Sequence, residues 1–238
     1  MLKICSLAII IVECGDKMKG KFIVIEGVDC SGKETQSKII VEKLREKKIK
    51  CLRLSFPMYD TPTGKIIEES YLGKSGNGFF PEGSPNVDPY IAALYYAADR
   101  KYNISKIQKY YDEGYYIILD RYTTSNMAYQ GSKILDKDQR FYMYQWIDKL
   151  EFWLLNLPKP DKTIFLHMPI DKVLELEKKR ERLDDNEKDE DYLRRSIDAY
   201  IELSELYGWD KVECVRDNKL KSIDEINEEI LKIVLNEK

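Results

Sequence analysis

The sequence predicts an α/β protein in three layers, a parallel five-stranded sheet with helices on both faces. One observation is alternation. Strand-like apolar runs recur at 22–26, 51–56, 116–119, 163–166 and 212–215, and helical patterns occupy 35–47, 62–72, 89–112, 139–157, 170–180, 191–207 and 222–236. Strand followed by helix, repeated, is the pattern of a parallel sheet covered on both sides. The other observation is the join between the first run and the first helix, where Phe22-Ile-Val-Ile-Glu26 leads into Gly27-Val28-Asp29-Cys30-Ser31-Gly32-Lys33.

That join sets the chemistry. Gly27 and Gly32 have the spacing of G-x-x-x-x-G-K after a buried-type strand and before a helical pattern, the context a phosphate-binding loop requires. Backbone N–H groups from Gly27 to Gly32 turn inward, the helix starting near Lys33 adds the positive end of its dipole, and the ammonium reaches the outer phosphates. A hydroxyl that meets Mg²⁺ is expected directly after the lysine; Glu34 stands there, and the hydroxyl comes only at Thr35. A carboxylate can ligate Mg²⁺ directly or through water, and Glu34 also suits the first turn of a helix on dipole grounds alone.

The remaining elements follow in order. Residues 73–89 are rich in Gly, Pro, Ser and Asn and read as an exposed loop, and 184–191 is a charge-dense stretch between helices. The last helix opens on a capping box, Ser222 with Glu225, ahead of a stripe of Ile226, Ile230 and Val234. The third strand ends in Asp120-Arg121, at the carboxyl edge of the sheet beside the loop. There the aspartate is placed to hold Mg²⁺ through water and the arginine to grip a phosphate; the alternative is a strand-end ion pair.

Composition limits the classes. With 238 residues, 34% charged and 43% hydrophobic, a single domain over 18–238 is expected, and a net charge of −3 gives no case for a nucleic-acid polymer as partner. Five scattered cysteines without a C-x-x-C pair point to reduced thiols in a cytoplasm. Lys3 and the apolar run 4–12 resemble a signal peptide, but Glu13, Asp16 and Lys17 follow. Residues 1–17 are therefore read as an extension upstream of a start at Met18, in preference to export or anchoring. A run of that length is too short to span a membrane.

Taken with the loop, the cluster Asp120-Arg121-Tyr122 with Ser125, Ala128 and Tyr129 resembles the thymidylate kinases, as do Phe56-Pro57 and Leu157-Pro158-Lys159-Pro160-Asp161. The likeness runs from about Lys21 to the C-terminus. It implies a P-loop NTPase fold with strand order 2-3-1-4-5, a homodimer, and transfer of the ATP γ-phosphate to dTMP. Position by position, Lys33 and the loop would hold ATP, Arg121 the acceptor phosphate, and Asp29 the acceptor's sugar and phosphate. Tyr96 would stack on thymine while Arg100, four residues on and on the same helix face, contacts its carbonyl; without the family match Tyr96 reads equally well as one more core aromatic. Phe56, Asn126 and Tyr129 would line the acceptor site, Tyr129 beside the 2′ carbon. Asp120 and Glu34 are the metal candidates. The transition-state cation is assigned to Arg180 or Arg182 in a lid over 178–191; a solvated basic helix end is the alternative.

Two departures bear on substrate. The family's arginine after Phe-Pro is Met58 here, which leaves the acceptor phosphate a cation short unless Lys65 compensates, and Glu34 replaces the usual hydroxyl. Two alternatives to a thymidylate kinase stand: a P-loop kinase for another nucleotide or a deoxynucleoside, and a catalytically weak nucleotide-binding protein. A GTPase switch is a poor fit, since no Asp-x-x-Gly follows the loop at a suitable distance. His167, the only histidine, reads as structural.

Overall fold

The first strand places branched residues on both of its faces, and both faces are covered. In β1 (Lys21–Glu26), Ile23 and Ile25 enter one hydrophobic cluster with Ile40, Leu44, Ile118 and Ile164, while Phe22 and Val24 enter another with Ile117, Leu119 and Tyr122. Two-sided burial accounts for a continuous apolar run in place of an alternating one. The structure, a computed structural model, describes residues 20–74, 76, 78–178 and 189–236. The extension 1–17, Arg180, Arg182 and most of the expected lid lie outside the described residues.

Five parallel strands form the main sheet in the order β2-β3-β1-β4-β5, as the family likeness implied. The others are β2 (Cys51–Ser55), β3 (Tyr116–Asp120), β4 (Lys162–His167) and β5 (Asp210–Glu213). Helix α1 (Lys33–Glu46) starts at Gly32, whose φ of 87° lies in the left-handed region where glycine carries no Cβ penalty. Helix α3 (Pro89–Asp112) has the expected bounds, with Asp88 capping its N-terminus. Helix α8 (Ile223–Leu235) carries the Ser222–Glu225 capping box. Helices α6 (Ile170–Glu177) and α7 (Glu190–Tyr207) complete the expected set. Among the described residues, no helix is long and apolar enough to cross a membrane.

Several expectations need correction. Helix α2 (Pro62–Lys65) widens into a π-helical turn at Ile66–Tyr71, and α5 (Lys137–Asp148) does the same at Lys149–Leu154. An apolar stripe does not distinguish an i+4 from an i+5 hydrogen bond, so the sequence showed one long helix in each place. Helix α4 (Thr123–Gly131) was not anticipated, because its polar residues Thr123 to Asn126 are buried. A short hairpin, β6 (Val215–Arg216) with β7 (Lys219–Leu220), was also missed. The 73–89 loop is partly buried: Ser84 and Val87 are enclosed, and the Lys133 ammonium donates to both of their carbonyls at 2.9 Å.

Candidate active site

The loop after β1 closes tightly. Gly27 has φ 147°, and a Cβ there would stand 2.6 Å from Ser31 Oγ and 2.8 Å from the Leu166 carbonyl oxygen, so both conformation and space demand glycine. Lys33 opens α1 nearly buried, its Nζ donating to the Val28 carbonyl at 2.5 Å. Burial, and then the neighbouring Arg121, push its ammonium down to about 8 against the pull of Asp29, Asp120 and Glu26. Cys30, inside the loop, has φ 60°, and Arg121 at the end of β3 has φ 68°. Left-handed conformations are costly for side-chain-bearing residues and persist where the surroundings fix them.

What fixes Arg121 is a set of acceptors. Its Nη2 donates to Asp29 at 2.6 Å, and its Nη1 approaches the Gly27 carbonyl, Ser125 Oγ and Tyr200 OH at 3.3–3.4 Å. Tyr129 OH donates to the other Asp29 oxygen at 3.0 Å, and the guanidinium lies 5.2 Å from the Tyr129 ring centre. Burial works against the Asp29 carboxylate, yet Arg121 and Lys33 outweigh it and hold the carboxyl well below the usual range.

Behind Arg121 stands Glu26, fully buried at the end of β1. Its Oε1 accepts from Tyr122 N, Thr124 Oγ1 and Ser125 N at 2.5–3.1 Å, and its Oε2 from Ser125 Oγ and Tyr200 OH at 2.6 and 2.9 Å. Three of these donors belong to the start of α4, which has no side-chain cap of its own. Glu26 thus supplies that cap and the favourable negative charge. The sequence shows only a charge closing an apolar strand; Tyr200 is far along the chain.

Asp120 forms an ion pair, but with Arg53 of β2, not with its neighbour Arg121: Arg53 Nη2 stands 2.6 Å from Asp120 Oδ2. Strands β2 and β3 are paired, which brings the two together. Glu34 lines the same cleft as Lys33 and Asp120, yet it is exposed and bonded to Lys38 at 2.6 Å. His167 Nδ1 stands 2.6 Å from Glu213 Oε2.

A second cleft, of about 580 Å³ with its mouth, adjoins the first. Phe56, Tyr96, Arg100, Asn126 and Tyr129 all line it, together with Asp29 and Arg121. Arg100 is buried and clamped by Glu151, whose Oε2 accepts from Nε and Oε1 from Nη2, both at 2.5 Å. Glu151 also accepts from Thr123 Oγ1 at 2.9 Å and from Asn126 Nδ2 at 2.8 Å. Because the carboxylate only accepts, it fixes which end of the Asn126 amide faces it, and Asn126 Oδ1 remains a buried acceptor without a partner. Gln130 Oε1, on the same cleft, is likewise unpartnered. Tyr96 meets Tyr71 edge-on at 5.7 Å between ring centres, so it is both a packed aromatic and a cleft wall. Lys65 is exposed, and it is Lys74 that lines both clefts.

A site of this kind has counterparts among known proteins. A family model described as Thymidylate kinase matches residues 25–230. A probable thymidylate kinase of Pyrococcus horikoshii is 32% identical over 225 residues, covering 92% of this chain and 98% of that protein. A thymidylate kinase of Prochlorococcus marinus is 34% identical over 227 residues, covering 92% of this chain and 100% of its own length. Among solved structures, a thymidylate kinase from Candida albicans, described as having broad substrate specificity, superposes with a TM-score of 0.69 at 28% identity, with 92% of each chain covered. A matched model over most of the length, relatives aligned nearly end to end and a shared strand order agree: this chain belongs to the thymidylate kinase family.

Proposed function

We propose that the protein transfers the γ-phosphate of ATP to dTMP, giving ADP and dTDP. One observation carries the reading. The phosphate-loop cleft, with Lys33 and Asp120, and the cleft with Tyr96, Arg100 and Asn126 share Asp29, Phe56 and Arg121 at their junction. Two substrates bound in adjoining clefts meet there, which is what phosphoryl transfer requires.

Lys33 and the loop amides hold the donor phosphates, exchanging the Val28 carbonyl for phosphate oxygen. Arg121 grips the acceptor phosphate. Tyr96 covers the base, while Arg100 as donor and Asn126 Oδ1 as acceptor meet a pyrimidine edge that offers a carbonyl beside an N–H. Tyr129, held by Asp29, stands where a 2′ hydroxyl would crowd it. No general base is needed, because the acceptor is already an anion. Magnesium fits these residues: the ion takes one or two carboxylates and fills its shell with phosphates and water, and Asp120 lies in the loop cleft with Glu34 at its rim. When bound it neutralises charge on the donor phosphates.

Cytoplasmic residence belongs to the same proposal, supported by free thiols at Cys51 and Cys214. So does a homodimer, for which Ile91, Leu94 and Tyr102 form an exposed stripe along α3, 47–51% accessible. Light scattering on Leu94→Glu tests it, the expected result being a monomer where the parent is a dimer.

The deciding experiment is ADP release across the nucleoside monophosphates, with thymidine as control. Activity confined to dTMP and dUMP is expected, and Lys33→Ala should lower kcat at least 10³-fold with the fold intact, a loss of roughly 4 kcal/mol of transition-state stabilisation. Equal rates with purine monophosphates would overturn the substrate. A wider acceptor range is the second reading, favoured by Met58 where the family's arginine is expected.

A further inference from the structure

We propose that Lys74 is the second cation of the acceptor-phosphate site, binding the monophosphate alongside Arg121. The inference rests on the nucleotide reading above and assigns the position that Met58 leaves without a charge.

Six residues line both clefts: Asp29, Phe56, Pro57, Tyr59, Lys74 and Arg121. Three of them are charged. Arg121 and Asp29 are paired at 2.6 Å and together contribute no net charge. Lys74 is therefore the surplus positive charge at the junction, where a monophosphate brings nearly two negative ones. Lys65 and Lys74 are both exposed to solvent, but Lys65 lines neither cleft whereas Lys74 lines both.

The ammonium is held without being neutralised. It lies 4.1 Å from the centre of the Tyr59 ring. Among the described residues no carboxylate reaches it within ion-pair distance. A ring face attracts a cation while leaving most of its three N–H donors for other acceptors. The backbone is anchored as well: Lys74 N donates to the Glu68 carbonyl at 3.1 Å, closing the π-helical turn, and Gly73 before it adopts φ 61°. The hydrogen bonds of Asp99 to Met58 N at 2.9 Å and to Thr63 Oγ1 at 2.7 Å hold the segment carrying Tyr59 against α3. Lysine here acts as a point charge, not a fork, which suits an oxyanion already oriented by a guanidinium.

The test compares dTMP with thymidine, which share every group except the phosphate. Calorimetric titration of the full-length protein is run on the parent, Lys74→Met and Lys74→Arg, with melting temperatures as a check on folding. Lys74→Met should weaken dTMP at least tenfold, leave thymidine and the KM for ATP within about twofold, and flatten the salt dependence of dTMP binding; Lys74→Arg should recover most of the loss. An unchanged dTMP-to-thymidine ratio would overturn the assignment. So would a parallel loss of both ligands, since Lys74 would then act through packing on Tyr59. A parent protein that fails to prefer dTMP over thymidine would sink the nucleotide reading itself, and the role of Lys74 with it.

Discussion

Among the described residues, two carboxylates, Glu26 and Glu151, are completely enclosed, and they are enclosed differently. Glu26 stands behind Arg121 and is satisfied by two backbone N–H groups and three hydroxyls. Glu151 stands behind Arg100 and is satisfied by a guanidinium, an amide and one hydroxyl. A hydroxyl can turn to donate or accept, whereas a guanidinium and an amide nitrogen only donate. The Arg121 side of the site is thus supported by an adaptable network, and the Arg100 side by one whose polarity is fixed. Under the proposed function, the fixed side is the one that presents a set pattern of donor and acceptor to a base edge.

The largest expected effect is at Glu151. Glu151→Gln removes the charge opposite a buried guanidinium and turns a donor toward donors, so a loss of about 3–5 kcal/mol in urea unfolding is expected. Adding Arg100→Met should recover much of it, because the stranded charge is gone; a double variant no more stable than the single would break the comparison. At Glu26 the same substitution should cost only about 1 kcal/mol. Gln Oε1 keeps the donors at the start of α4, while Ser125 Oγ and Tyr200 OH rotate to accept from Nε2. Equal losses at the two sites would show that hydroxyl reversal does not operate.

The same contrast decides how much could be read in advance. The phosphate loop is contiguous, and its demands are imposed on particular letters: glycine at positive φ, lysine at the helix start. Strand positions followed from apolar runs for a similar reason, since burial on two faces leaves no other composition. Glu26 was half visible, as a charge closing such a run. Glu151 was not, because its partner Arg100 lies on another helix and nothing local marks a glutamate on an amphipathic face as buried. Arg53 was missed because the Asp120 pair crosses strands, and Lys74 because a glycine-rich segment gives no hint that a helical turn beside it widens and pins the backbone.

Lys133 extends the contrast to a partly buried charge with no carboxylate in contact among the described residues, and here the effect is read as a pH slope. Its Nζ donates to Tyr71 OH at 3.1 Å and to the Ser84 and Val87 carbonyls at 2.9 Å, all neutral acceptors. Burial pushes the ammonium down to about 7, and Asp88 opposes this only in part. Since the unfolded lysine titrates near 10.4, the unfolded chain binds more protons between pH 7 and pH 10. Stability should therefore rise with pH across that window, by at most about 1.4 kcal/mol per unit from this group, and level off below pH 7. Unfolding midpoints at pH 6.5, 7.5 and 8.5 measure the slope, and Lys133→Met should flatten it. A slope identical in parent and variant would mean that three neutral acceptors hold the ammonium as well as a carboxylate does, and that at this position the fixed and adaptable kinds of support are equivalent.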